Sequence, residues 1–217
     1  MSGFLNTDFN APNVFTFTFS NDLLAKIKHD VLDEQSNIKY MVVRPNWNSD
    51  IAWLSPNSLK DVNIFSNIFD QLQVQSVVKS LLNIKSSFVS YCGFLVVRSS
   101  CIGVDYHTDW IGTGLNAFTL ITPLVDEGED LGLLYKKNDS DVGKYLYKPG
   151  EAIVFADGFI HSSMPTDSTR KIILLSFTFG TDSMEYWPAI SKTAGYQSNI
   201  LKLPNGDFRV KNISICS

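Results

Sequence analysis

Cysteine and histidine are both scarce in this chain, and the scarcity narrows its chemistry. The three cysteines, Cys92, Cys101 and Cys216, stand far apart without a CxxC pair, which argues against a disulfide framework and a zinc-thiolate site. A reducing, cytoplasmic setting is therefore expected. No stretch approaches the roughly 20 apolar residues that span a bilayer. The first nine residues carry neither a basic segment nor an apolar core, so neither a signal peptide nor a membrane partner is expected. Lysine and arginine (18 together, against 22 acidic residues, net charge −4) are scattered rather than clustered. That leaves no footprint for a phosphate backbone and argues against nucleic acid as a partner. No repeat, low-complexity tract or linker divides the chain. At this length a β barrel commonly forms one unit, so a single domain over residues 1–217 is expected.

What is present points to β structure. Fifteen Phe and eight Tyr supply large apolar side chains for a sheet-rich core. Phe15, Phe17 and Phe19 alternate with Thr16 and Thr18, the period of a half-buried strand. Ser20 then reads as the N-cap of a helix over 21–32, in which Leu23, Leu24, Ile27 and Val31 share a face. Residues 38–44 read as a second strand closed by Pro45, followed by a loop holding Trp47 and Trp53. From 58 to 83 apolar residues recur every three to five positions, as one long helix or two shorter ones. Beyond them lie strand patterns at 87–98, 103–110, 115–124, 131–135, 144–147, 151–155 and 169–179, punctuated by Gly and Pro. Asn205-Gly206 predicts a hairpin with a type I′ turn. The fold class expected is mainly β with flanking helices: a jelly-roll, cupin-like barrel with the N-terminal helices packed on one face.

Two of the three histidines sit in chemically suggestive places. His107-Thr108-Asp109 is an HxD triplet in an expected strand, whose period of two puts both side chains on one face. Alone this is weak, because chance gives such a triplet in roughly one sequence of this composition in five. Downstream, the turn Lys148-Pro149-Gly150-Glu151 opens the apolar strand Ala152-Ile153-Val154-Phe155, and His161 follows. Two imidazoles and one carboxylate form the facial triad of non-haem iron enzymes, which leaves coordination positions open. Nine residues after His161 comes Arg170, at the head of an apolar strand, where a charge needs an anionic partner. The distal carboxylate of 2-oxoglutarate would be one, since a guanidinium stays charged and can pair bidentately.

With these residues in hand, the stretch from about Phe88 to Phe179 resembles the double-stranded β-helix core of the Fe(II)/2-oxoglutarate oxygenases, and among them the phytanoyl-CoA dioxygenase-like group. The resemblance is carried by His107-Thr108-Asp109-Trp110, the strand from Leu115-Asn116-Ala117-Phe118 to Pro123, the segment Pro149 to Phe155, His161 and Arg170. It implies an iron site of His107, Asp109 and His161, with 2-oxoglutarate and O₂ as cosubstrates. Arg170 would hold the distal carboxylate, helped by Ser163, two residues after the distal histidine. Arg170 is followed two places later by Ile172, so the RxS arrangement of many relatives is absent. Asp109 disfavours a halogenase, where a small residue stands at that position.

On the substrate side the candidates are Arg98, Trp110 and Asn116, with Arg98 able to hold a substrate carboxylate or the 1-carboxylate of 2-oxoglutarate, or else to be a charge at the barrel edge. Asp105 shares strand parity with the triplet, as a rival ligand or as a partner of an imidazole. The expected division is strands and helices over 1–86, the β-helix core over 87–180 and a C-terminal extension over 181–217. The expected activity is hydroxylation or another oxidation of a small organic molecule, yielding succinate and CO₂. A cupin-like metal enzyme without 2-oxoglutarate and a noncatalytic jelly-roll binding module are the alternatives. Substrate identity and oligomeric state are not legible.

Overall fold

The computed structural model describes residues 3–4, 9, 13–44, 50–82, 86–98, 101, 103–125, 131–166 and 172–211. The N-terminal part comprises β1 (Gly3–Phe4), β2 (Val14–Thr18), α1 (Asn21–Leu32), β3 (Tyr40–Val43), β4 (Ile51–Pro56), α2 (Leu59–Gln71) and α3 (Val74–Leu82). The expected Ser20 cap is present, its hydroxyl accepting from the Leu23 N–H at 3.2 Å. The apolar run expected as one or two helices is two, parted at Gln73, whose φ of 49° cannot continue a helix. Trp53, read as a loop residue, instead lies within β4, which pairs with β3 and with β5. Trp47 lies outside the described residues.

The β-rich part runs through β5 (Phe88–Arg98), β6 (Ala117–Val125), β7 (Gly132–Lys136), β8 (Val142–Leu146), β9 (Glu151–Phe155), β10 (His161–Ser163) and β11 (Ile172–Thr181). Among the described residues one sheet has the order β1-β2-β9-β6-β11-β5-β4-β3 and a second has the order β10-β7-β8. Pairing that skips between distant strands, antiparallel throughout, is the mark of a jelly roll.

The apolar run of β11 is explained by burial on both faces. Leu175, Phe177 and Phe179 pack against Phe65, Ile68, Phe69 and Val78 of the helices, together with Phe118, Leu120 and Val154. Residues of the opposite parity, Ile172 and Leu174, face the barrel interior with Ile153 and Phe155. The helices thus cap one face of the larger sheet, as their amphipathic patterns required. Gly93 of β5 lets this layer close, because a Cβ there would lie 2.5 Å from the Phe177 ring and 2.6 Å from that of Phe65.

The segment 103–110, expected as a strand, is one only in vestige. It runs beside 161–166 and bridges it at His107 with His161, while Cys101, ahead of the segment, bridges Thr166. Between the bridges Pro165 has no N–H to give, and the Ser162 hydroxyl accepts from the Asp105 N–H at 2.9 Å, so the ladder is broken. After the core come α4 (Trp187–Gln197), which was not foreseen, and the hairpin of β12 (Ile200–Lys202) with β13 (Phe208–Val210). The hairpin is where Asn205-Gly206 placed it, but only Gly206 has positive φ (91°). The Gly206 N–H bonds to the Leu203 carbonyl at 2.9 Å, which is a type I turn followed by a left-handed glycine, not type I′. No helix among the described residues is long and apolar enough to cross a membrane.

Candidate metal centre and its cavity

The two histidines meet through backbone pairing. His107 and His161 each donate an N–H to the other's carbonyl, both at 2.9 Å. Directly opposed residues project their side chains to the same face, and here the ring centroids lie 4.6 Å apart. Each Nδ1 bonds to the backbone carbonyl two residues earlier, His107 to Asp105 at 2.9 Å and His161 to Phe159 at 3.1 Å. A carbonyl can only accept, so each Nδ1 carries the proton and each Nε2 presents a lone pair. Both Nε2 atoms turn toward Oδ1 of Asp109, at 3.7 Å from His107 and 3.9 Å from His161. The three ligand atoms all lie within 4.8 Å of one another.

The carboxylate is held from behind. Thr119 on β6 donates its hydroxyl to Asp109 Oδ2 at 2.7 Å, and that hydroxyl accepts from the Trp110 indole N–H at 3.1 Å. Oδ1 is thereby left facing the imidazoles. On the other side Thr193 of α4 donates to the Asp109 carbonyl at 2.6 Å, tying the C-terminal helix to the triplet. The following loop is pinned by Asp157, whose Oδ2 accepts from the N–H groups of Thr113 and Gly114, both at 2.9 Å. The turn Lys148 to Glu151 delivers β9: its closing Glu151 N–H bonds to Lys148 O at 3.0 Å, and Gly150 takes φ 77° after Pro149, as a type II turn requires.

Two imidazoles and a carboxylate with fixed tautomers and a supported carboxylate are a donor set that fits Fe(II), which takes mixed N/O ligands and leaves positions free. His161 is the buried wall of the site, its ring stacked on Phe159 at 5.1 Å and 16° and tilted against Phe155. Its pKa is lowered, first by burial and then by His107, against an opposing pull from Asp109. His107 is half exposed (50% of its side chain, against 5% for His161), so the site opens on the His107 side.

That opening leads into a cavity of about 540 Å³, within the usual size of small-molecule sites. Its inner wall is the inward parity of the barrel strands, with Phe94 and Val96 of β5, Ile121 of β6 and Leu174 of β11. At the mouth the Arg44 guanidinium lies 4.9 Å from the Tyr196 ring and 5.9 Å from the Trp53 ring.

Of the residues singled out in the sequence, His107, Asp109 and His161 converge, and Ser163 and Arg98 line the same cavity. Arg170 lies outside the described residues. Trp110 is buried at 1% among Tyr91, Phe94 and Trp187, reaching the site only through its indole N–H. Asn116 donates to the Thr113 carbonyl at 3.0 Å and does not line the cavity. Asp105 serves the site through its backbone carbonyl rather than its carboxylate. Sequence reasoning missed Thr119 and Thr193, which hold Asp109. A signal for α4 existed, since Trp187, Ile190, Ala194 and Gln197 are spaced helically behind Pro188 in the first turn.

Neither a family model nor a curated protein matches this sequence. Solved structures do match its shape. The non-haem α-ketoglutarate-dependent epimerase SnoN from nogalamycin biosynthesis superposes with a TM-score of 0.58 at 9% identity, covering 79% of each chain. A prolyl hydroxylase from Trichoplax adhaerens, in complex with a hypoxia-inducible-factor peptide, gives 0.56 at 12% identity over 81% of this chain and 87% of that one. HygX from Streptomyces hygroscopicus, with nickel, 2-oxoglutarate and hygromycin B bound, gives 0.55 at 9% identity over 80% and 85%. The chain has the double-stranded β-helix fold of the 2-oxoglutarate oxygenases. In that fold the vestigial strand bearing the HxD triplet and the short strand β10 are neighbours, which is why two histidines 54 residues apart face each other here.

Proposed function

We propose that this chain is an Fe(II)- and 2-oxoglutarate-dependent oxygenase that hydroxylates or otherwise oxidises a small organic molecule, working in the cytoplasm. One observation carries the reading: His107 and His161, locked by their Nδ1 bonds, direct both Nε2 atoms at a carboxylate oxygen left free by Thr119, at the inner end of a cavity. His107, Asp109 and His161 would hold the iron. When bound, iron and 2-oxoglutarate together supply O₂-dependent oxidation, with release of succinate and CO₂. The resemblance assigns the distal carboxylate to Arg170 with Ser163, of which Ser163 lines the cavity. Membership of the phytanoyl-CoA dioxygenase-like group is the finer form of the proposal and rests on the motif from His107 to Trp110 and the segment Pro149 to Phe155.

The protein's own part is to position and to exclude. Phe155 and Phe159 shield His161 from water, so that imidazole stays neutral and able to ligate. The apolar inner wall favours a substrate with a hydrocarbon portion near the metal, while Arg44, Tyr196 and Gln197 offer polar contacts toward α4.

The test is succinate formation from 2-oxoglutarate with Fe(II) across a metabolite panel, run beside His107→Ala. Substrate-stimulated succinate that vanishes in the variant is expected. Turnover indifferent to 2-oxoglutarate would point to a cupin-like metal enzyme instead, and a protein that takes up neither Fe(II) nor Mn(II) to a binding module.

A further inference from the structure

The hydroxyls of Thr119, Ser162, Ser176 and Thr193 line the cavity, yet each gives its proton to the protein itself: Thr119 to Asp109 Oδ2, Ser162 to the Ser163 carbonyl, Ser176 to the Leu120 carbonyl and Thr193 to the Asp109 carbonyl. Gln197, the last residue of α4, is arranged the other way. Thr178 on β11 donates its hydroxyl to Gln197 Oε1, which sets the orientation of the amide. The amide nitrogen bonds to nothing among the described residues, and it is not sealed from solvent. Gln197 is 6% exposed and lines the cavity, so the cavity is the space onto which its N–H groups open. The backbone beneath is pinned. Ser198, the C-cap of α4, is fully buried, and its hydroxyl bonds to that of Ser55 on β4 and to the Ile200 carbonyl, both at 2.8 Å.

Two separate links place this amide beside the metal triad. Thr178 is the direct partner of Thr119 across β11 and β6, where opposed Cα atoms stand about 5 Å apart and side chains share a face. The threonine that holds Gln197 thus neighbours the threonine that holds Asp109. Along α4, Thr193 bonds to the Asp109 carbonyl, and Gln197 follows one turn later on the same face, about 6 Å along the axis. A donor left unfilled among apolar walls favours an occupant that brings it an acceptor. We infer that Gln197 is a specificity-determining residue of this cavity, its amide N–H donating to a carbonyl or ether oxygen of the substrate while Thr178 acts as its positioning residue. The substrate class is then a hydrocarbon skeleton that carries an acceptor oxygen about one helical turn away from the metal ligands. Calling the occupant a substrate rests on the oxygenase reading; the placement of the amide does not.

The probes are 1-indanone, indole and indane, bicyclic molecules of nearly one size that carry an acceptor oxygen, an N–H donor and no polar group, respectively. Each is titrated into protein loaded with Mn(II) and 2-oxoglutarate while its protons are followed by NMR, because Mn(II) speeds the relaxation of protons that bind near it. Gln197→Leu is expected to lower the affinity for 1-indanone relative to indane by about 2- to 12-fold, the range of one neutral hydrogen bond. Its Mn(II) affinity and its affinity for indole relative to indane should be unchanged. Thr178→Val should lose the same preference for 1-indanone and Thr178→Ser should restore it, which decides the matter if the leucine variant fails to fold. The inference is overturned if Gln197→Leu keeps the wild-type preference, if the loss falls on indole instead, if Thr178→Ser behaves as Thr178→Val does, or if the wild type relaxes none of the three probes. Failure of Mn(II)-loaded wild type to take up 2-oxoglutarate would overturn the oxygenase reading instead, and the same probes then test Gln197 on the Mn(II) protein alone.

Discussion

Thr119 is the side chain on which the shape of the metal centre turns, and Thr119→Val tests it with almost no change in volume. The wild-type hydroxyl donates to Asp109 Oδ2 at 2.7 Å and accepts from Trp110 Nε1 at 3.1 Å. Valine removes both bonds at once. Asp109 is partly exposed (16%), so water can replace part of its loss, and that half of the effect should be at most about 1 kcal/mol. The indole N–H is different: Trp110 is 1% exposed, and an orphaned buried donor costs about 1–3 kcal/mol. The sum is about 1–4 kcal/mol, or a fall of roughly 2–16 °C in melting temperature for a chain of this size. Metal affinity should fall about 10- to 100-fold, since Asp109 is then free to rotate Oδ1 away from the imidazoles. The assay is thermal unfolding of the metal-free protein beside Mn(II) titration. A double variant adds a sharper criterion. With Trp110→Phe in the background there is no indole N–H to orphan, so Thr119→Val should cost about 1 kcal/mol or more less than in wild type. If Thr119→Val is as stable as wild type, or the two changes simply add, the relay described here is wrong.

Thr193→Val breaks the bond from α4 to the Asp109 carbonyl and should cost about 1 kcal/mol in denaturant unfolding, with a measurable drop in Mn(II) affinity; an unchanged affinity would uncouple α4 from the metal centre. Gly93→Ala forces a methyl into the Phe65 and Phe177 rings and should destabilise by about 1–3 kcal/mol while leaving metal binding intact, read by urea midpoints and Mn(II) titration. Acid should weaken the metal-free fold through His161. Its folded pKa lies below the ordinary value of 6.5, so the unfolded chain takes up a proton that the folded site refuses. The contribution is whole above that value and is lost as pH falls toward the folded pKa, at no more than about 1.4 kcal/mol per pH unit. Urea midpoints for wild type and His161→Gln between about pH 7.5 and about 5.5 check this, the variant's profile being expected to be flatter over that window.

Local patterns were read well because they rest on local physics. The Ser20 cap and the helix behind it, the alternation of β2, the turn before β9 and the apolar periods of the two following helices each follow from neighbours within a few residues. Trp53 was misplaced because a strand as short as β4 is held by β3 and β5, not by its own pattern. The helix α4 was not foreseen, although Pro188 is well suited to a first turn, because what holds it is the burial of Ile190 and Ala194 against the barrel.

By itself the sequence determined the ligand types and their order, His107, Asp109 and His161, because two imidazoles and a carboxylate are a chemical statement that needs no coordinates. It also determined that a barrel with an amphipathic helical layer would form. Only the tertiary structure decided how the ligands meet. The expected strand 103–110 does not persist, and the triad is assembled instead by one reciprocal pair of backbone hydrogen bonds between His107 and His161, by carbonyls that set both tautomers, and by Thr119 from a third strand. The buried charge of Arg98 was equally undecidable beforehand. Whether a strand-end arginine meets water or an enclosed cavity depends on which strands flank it, and those neighbours, Ile51 and Ile172, are tens of residues away along the chain.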